Sequence, residues 1–407
     1  MTTLKPAAEL PPLALYVHFP WCVRKCPYCD FNSHALHGAL PEQAYVNALL
    51  ADLDSQAALA AARPVRSIFL GGGTPSLFSP EALARLLAGV GRQLVVAPDA
   101  EVTLEANPGT IERGRFADYR GAGINRVSLG AQSFEPGQLQ ALGRIHDGAD
   151  TYRAVGELEA AGIANFNLDL MYALPRQTVA QALADVAAAV ALAPAHISHY
   201  QLTLEPGTVF GGRPPAGMPD PDLAADMQLR CQDALAQAGY SQYEVSAYAR
   251  AGLRCRHNLN YWQFGDYLGV GAGAHGKWSQ RRAAGLLVER STREREPRRY
   301  LAALGRAGGA ATAEAALAPP WRAVPAAELP FEYMMNALRL VEGFEEREFE
   351  QRTGLGCDVL EAPLARALGR GLIGHEAGRW RATTLGFNFL NDLLGEFLNE
   401  ARDCPAI

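Results

Sequence analysis

The sequence predicts an α/β protein: a mainly parallel sheet built from repeated β-α units, followed by a small, mainly helical C-terminal domain. Three observations carry this. Up to residue 204, short apolar runs alternate with helically periodic ones, about six times in succession. Glycines and polar side chains close the short runs, at the strand ends where parallel sheets bind their ligands. A stretch rich in Ala, Gly and Pro over 305–325 then separates this series from a compact tail.

Taken in order, the apolar run containing Tyr16-Val17-His18-Phe19-Pro20 reads as a first strand leading into a cysteine-bearing loop. Helix 41–62 follows, with Tyr45, Leu49 and Leu53 at helical spacing, and Pro64 ends it. Strand 66–70 comes next. The alternation continues through helix 80–92, strand 101–106, helix 112–122, strand 126–129, helix 149–161, strand 165–170, helix 178–192 and strand 197–204. Crossovers in such a series are right-handed, and the sheet either closes as an eightfold barrel or stays open. Beyond it, 266–276 reads as one small-residue strand allowing close backbone approach, with His275 given no task. The run 290–299 alternates charge signs and reads as a solvated segment. In the tail, 331–340, 345–353 and 358–370 read as helices. Leu372-Ile373 pairs with Trp380-Arg381-Ala382 as a hairpin, and 386–400 is a last helix. Three helices and a hairpin resemble a winged helix, but the tail is not basic, so a cap or docking surface is expected rather than a DNA reader.

The 407 residues suggest two or three domains, divided as 1–245, 246–320 and 321–407. With 49% apolar and 20% charged residues the composition is that of a soluble globular protein. A net charge of −6 gives no general attraction to nucleic acid. Seven cysteines, an odd number in a long chain, argue against a secreted disulfide framework. No apolar signal core follows Met1, and no run approaches the ~20 apolar residues of a membrane span, so a cytoplasmic location is expected.

The chemistry centres on Cys22-x₃-Cys26-x₂-Cys29. Three thiols in eight residues can wrap one compact iron or zinc centre. Structural zinc wants four ligands, and Cys231, Cys255, Cys357 and Cys404 stand far off, though His18 or His34 could complete such a site. A 4Fe–4S cube on three cysteines leaves one iron open to a small molecule. At the other strand ends stand Gly71-Gly72-Gly73-Thr74-Pro75, Glu105-Ala106-Asn107-Pro108, Gly130-Ala131-Gln132-Ser133 and Asp169-Leu170-Met171-Tyr172. Each has a bland explanation as a tight turn, a cap or a satisfied buried group. Asp169, alternating with leucines, is the costliest to bury without a partner or ligand.

With Tyr28 just before the third cysteine, the loop resembles the signature of the radical S-adenosylmethionine family. Together with Gly143-Arg144-Ile145-His146 and Asn167-Leu168-Asp169, the pattern is similar over nearly the whole chain to the group of oxygen-independent coproporphyrinogen III oxidases and related haem chaperones. That resemblance implies an incomplete parallel (β/α) barrel. It implies Cys22, Cys26 and Cys29 as ligands of a 4Fe–4S cluster whose open iron is chelated by S-adenosylmethionine. It sets Tyr16, Tyr28, Gly72, Gly73, Thr74, Glu105, Gln132, Arg144 and Asp169 against that cofactor.

Within the group, the oxidases carry a fourth cysteine two positions after the third, where this chain has Phe31, and a longer N-terminal extension. His257-Asn258-Leu259-Asn260-Tyr261-Trp262 resembles the chaperones' haem-binding motif, with His257 as iron ligand and the two aromatics against the porphyrin. The order is not Cys-x-x-Cys-His, so c-type attachment is not supported. The expectation is a haem chaperone that passes haem to an acceptor protein, soluble or membrane-associated. Radical decarboxylation of a porphyrinogen is the alternative, so whether the chain is an enzyme stays open.

Overall fold

A computed structural model describes residues 10–60, 63–110, 115–283, 285–305 and 321–398. The first strand, β1 (Leu13–Phe19), is buried at every position except Tyr16, as expected of a strand covered on both faces. Two short strands, β2 (Trp21–Cys22) and β3 (His34–Ala35), close the cysteine loop. The parallel series then runs through β4 (Val65–Gly72), β5 (Val96–Ala106), β6 (Arg126–Gln132), β7 (Phe166–Tyr172) and β8 (His196–Gln201), each reached through a helical crossover. The helices start where side chains can cap them. Ser79 accepts from the Ala82 N–H at 3.2 Å, and the pairs Asp147/Asp150 and Thr178/Gln181 form reciprocal capping boxes.

Past β8 the chain adds β9 (Ser241–Glu244) and β10 (Ala247–Ala249), then β11 (Asp266–Val270), β12 (His275–Arg282), β13 (Gly285–Thr292) and β14 (Arg322–Ala323). All join one twelve-stranded sheet in the order β14-β13-β12-β11-β1-β4-β5-β6-β7-β8-β10-β9. The strands from β11 to β8 are parallel, whereas those outside them pair antiparallel. The two edge strands, β14 and β9, do not pair with each other among the described residues, so the barrel is open. Strands of the 246–320 stretch thus extend the sheet begun by 1–245.

The tail folds around β15 (Phe344–Glu345), β16 (Ile373–Glu376) and β17 (Arg379–Ala382), in the order β15-β17-β16. Helices Leu329–Ala337, Glu346–Thr353 and Glu361–Gly369 surround it. Its core also takes in Val288 from β13 and Phe264 from the turn before β11, with Phe264 edge-on to Tyr333 at 5.5 Å. The tail therefore docks on the main body through apolar packing.

Four expectations change. The single strand over 266–276 is two strands joined by a turn, because Gly271 and Gly273 adopt φ of +106° and +82°. The charged run 290–299 is not simply solvated. Arg290 bonds Glu332 at 2.5 Å and the Tyr267 hydroxyl at 2.9 Å, and buried Arg293 pairs with Asp52 at 3.0 Å. Alternating signs in sequence concealed partners far along the chain. The last helix divides at Phe389 into Thr384–Asn388 and Leu390–Gly395. Helix 358–370 begins as a 3₁₀ turn over Cys357–Leu360 before Glu361–Gly369. Most of the Ala/Gly/Pro-rich connection lies outside the described residues.

Candidate cofactor site

The cysteine loop is held from both ends. Trp21 and Cys22 pair with His34 and Ala35, and the Cys29 N–H returns to the Cys26 carbonyl at 3.2 Å. Asn32 clamps it outward, donating to the carbonyls of Ala272 and Arg295, both at 2.9 Å. His18 Nε2 stands 2.9 Å from the Asn32 carbonyl, and its Nδ1 2.9 Å from the Tyr16 hydroxyl. Over this ring lies Gly72, at φ +113°, where a Cβ would come within 2.5 Å of His18. The glycine triplet is thus required by close packing of strand end on strand end.

So positioned, the three thiols face one cavity with an atom-free volume of about 750 Å³, open to solvent on one side. Burial pushes the Cys22 thiol up, with Cys29 and Cys26 adding to the effect, so its deprotonation is matched to a site that brings its own positive charge. No three His, Cys, Asp or Glu side chains among the described residues converge as ligands of a single ion. Three sulfurs spread around a cavity instead suit a multi-iron cluster, in which each cysteine takes a different iron.

Tyr28, Gly72, Gly73, Thr74, Glu105, Gln132, Arg144 and Asp169 line the same cavity. Gln132 is brought there by a bulge: the β6–β7 register shifts between Leu129 and Gln132, and Gln132 takes φ +66°. Its Oε1 accepts from the Tyr200 hydroxyl at 2.8 Å. Arg144 donates to the Gly130 carbonyl at 2.8 Å and to Cys26 Sγ at 3.6 Å, while its buried Nε has no partner. A buried guanidinium N–H left unmade beside a cavity fits a ligand acceptor such as a carboxylate.

Burial raises both carboxylates of the cavity. Burial, aided by the nearby Asp169 carboxylate, lifts Glu105 to about 8 although the Gly72 N–H donates to it at 2.9 Å. Burial also raises Asp169, opposed by Asn167 donating at 2.7 Å and Ser128 at 3.2 Å. Both stand ready to accept from hydroxyl or amino groups, which favour the charged form.

Tyr16 does not reach this cavity. It lines a second one, with Glu105 and Gly72 in the shared wall and Phe31, 59% exposed, at the common rim. His257 lies apart from the first cavity, 1% exposed, on helix Arg256–Trp262. Both ring nitrogens are engaged: Nδ1 with Ser67 Oγ at 3.0 Å, Nε2 with the Tyr261 hydroxyl at 3.1 Å. The ring also stacks on Phe69 at 4.9 Å. Burial lowers it to about 3, so it is neutral. Glu101 secures the helix by accepting from the Arg256 and His257 N–H groups, both at 3.2 Å. Tyr261 lines the second cavity, whereas Trp262 lies under the Arg339 guanidinium at 4.4 Å.

The model of the radical SAM superfamily matches residues 16–187, and that of the HemN C-terminal domain matches 324–389. Heme chaperone HemW of Escherichia coli (strain K12) is 48% identical over 96% of this chain and 100% of its own length. The chain belongs to the HemW family. The HemW of Haemophilus influenzae is similar, at 46% identity over 96% of this chain and 99% of its own. Among solved structures, coproporphyrinogen III oxidase (HemN) of Escherichia coli superposes with a TM-score of 0.77 over 95% of this chain and 90% of its own, at 22% identity. That likeness speaks for the fold: a radical SAM open barrel with a HemN-type C-terminal domain. Membership of the superfamily implies a 4Fe–4S cluster and S-adenosylmethionine, and the three thiols line one cavity with the polar groups described. No helix among the described residues is long and apolar enough to cross a membrane.

Sequence reasoning missed several cavity residues. Tyr200, Ser128 and Arg24 also line it. Tyr200 and Ser128 sit on β8 and β6. Polar side chains in otherwise buried strands were the available signal. Asn32 and His18 act from behind the loop, and nothing in their spacing announces it.

Proposed function

We propose that the chain is a haem chaperone that binds haem and passes it to an acceptor protein, soluble or membrane-associated, in the cytoplasm. The observation carrying this reading is the likeness over nearly the full length, at 48% identity, to proteins of that name. In this reading Cys22, Cys26 and Cys29 hold three irons of a 4Fe–4S cluster, and S-adenosylmethionine occupies the remaining cavity. Glu105 and Asp169 accept from its hydroxyl or amino groups, and the unpartnered Nε of Arg144 meets its carboxylate. Gly72, Gly73 and Thr74 offer backbone, with Tyr28 and Gln132 as walls, while Tyr16 stands in the neighbouring cavity. The cluster, when bound, supplies reducing electrons; the chain's own groups bind, orient and exclude water. Residues 1–245 form the cofactor unit, 246–320 its haem-binding extension and 321–407 the cap. His257 can meet haem iron only after the Tyr261 hydroxyl leaves its Nε2.

The second reading, porphyrinogen decarboxylation, has support only at the level of fold, at 22% identity. Against it, Phe31 occupies the position of the oxidases' fourth cysteine. Haem and coproporphyrinogen III added separately to anaerobically reconstituted protein decide between them. The chaperone reading expects a shifted Soret band with haem and no protoporphyrinogen. Turnover of coproporphyrinogen sinks it.

A further inference from the structure

Beside the cofactor cavity lies a second one, with a cavity volume of about 390 Å³ and a mouth open to solvent. Its size is within the range of small-ligand sites, roughly 300–1,000 Å³. Two histidines line it, His18 and His275, and a third, His257, stands behind its wall residue Tyr261. Their ring nitrogens differ. Those of His18 are taken by Tyr16 and Asn32, and those of His257 by Ser67 and Tyr261. His275 has one contact, Nδ1 to Thr292 Oγ1 at 3.3 Å, and its Nε2 makes no protein hydrogen bond among the described residues. An imidazole held through Nδ1, with Nε2 presented to an open cavity, is the arrangement of a metal-ligating histidine.

From this geometry we infer that His275 is the residue that first takes haem iron, through Nε2, at the mouth of this second cavity. The inference rests on the haem-chaperone reading and says where in the molecule haem docks. The surroundings suit a porphyrin. Phe31, exposed at the rim, and the rings of Tyr261 and Tyr267 offer flat apolar surface. Arg295, exposed at the mouth, offers a guanidinium to a propionate. Burial, with Arg290 and Arg295 adding to it, lowers the His275 pKa from 6.5, favouring the neutral imidazole that iron needs. The backbone is also held in place. A Cβ at Gly269 would come within 1.9 Å of the His275 carbonyl oxygen, and His275 pairs in register with Thr292 on β13. The turn that ended the expected single strand over 266–276 is what brings this histidine to the cavity.

Ligation breaks no covalent bond: iron gains the Nε2 lone pair and loses a bound water. His257, behind Tyr261, is then a positioning residue that holds the cavity wall.

The test is ferric haem titrated into the cluster-loaded protein, its His275→Ala variant and its His257→Ala variant, with cluster absorbance and Tm recorded to establish that each is folded. Haem affinity is read from the Soret band, and nitrogen ligation from electron paramagnetic resonance and resonance Raman spectra. His275→Ala is expected to weaken haem binding at least about tenfold, or about 1.4 kcal/mol. It should lose the iron–histidine signature and regain it with free imidazole, a rescue that a merely structural role would not give. His257→Ala is expected to keep histidine ligation. Unchanged ligation in His275→Ala, or its loss in His257→Ala alone, overturns the assignment and leaves the chaperone reading standing. Absence of haem binding by the wild-type protein overturns both.

Discussion

Glu105→Gln isolates the electrostatics of the cofactor cavity. The amide keeps an oxygen for the Gly72 N–H, now 2.9 Å from the carboxylate, but cannot ionise. In the folded wild type the carboxyl titrates near 8 instead of 4.5. The folded state therefore holds this proton more tightly than the unfolded chain, and stability falls as pH rises from 4.5 to about 8. Each unit is worth about 1.4 kcal/mol, giving a ceiling of about 5 kcal/mol, which water in the open cavity reduces to about 2 kcal/mol. Denaturant unfolding of cluster-free wild type and variant is the assay. Near pH 5 the two should agree within about 0.5 kcal/mol, and near pH 8.5 the variant should be the more stable by about 2 kcal/mol. Reconstituted variant should bind S-adenosylmethionine about ten- to a hundredfold more weakly, because an ionised acceptor becomes a neutral one. A stability difference that does not change with pH would refute the reasoning, since it would mean that Glu105 is already ionised in the folded protein.

Three further outcomes are expected. Replacing Cys22, Cys26 or Cys29 singly by Ala should abolish the iron–sulfur absorbance after anaerobic reconstitution; four irons retained in any of them sinks the three-ligand assignment, and stoichiometric zinc in the wild type revives a structural zinc loop. Gly72→Ala should cost about 3 kcal/mol by denaturant unfolding, because φ +113° is strained for alanine and the His18 ring is tied at both nitrogens. Gly91→Ala, a helical position with open space around it, should instead be neutral or stabilising, so equal effects at the two sites would count against the packing argument. Lys277→Met should destabilise by about 3 kcal/mol, since it strips buried Asp266 of one of its two cations and leaves Arg63 at 2.8 Å; a loss below about 1 kcal/mol would show that Arg63 alone suffices.

Much of the lining of the candidate cavity was legible along the chain because a parallel sheet brings the ends of successive strands to one edge. Once the alternation of apolar runs and helices was recognised, Glu105, Gln132 and Asp169 fell into one ring with the cysteine loop, and they line one cavity. Tyr16 was assigned to the same place but faces the neighbouring cavity, a distinction that depends on which face of β1 each side chain takes. The buried pair of Arg293 with Asp52 was illegible because 241 positions separate its members. His275 carried no signal at all, since its role depends on a glycine turn that sequence pattern reads as continuous strand.

The sequence by itself determined the elements, the cysteine spacing and the polar groups at strand ends, because those follow from local periodicity and from ligand chemistry. Only the tertiary structure decided which histidine presents a free nitrogen. His257 has the recognisable motif yet lies buried with both nitrogens bonded, whereas His275 lines an open cavity and, among the described residues, its ring bonds only through Nδ1. The physical reason is that a histidine's availability is set by partners brought from distant strands, Ser67 for the one and Thr292 for the other, and no local spacing records them.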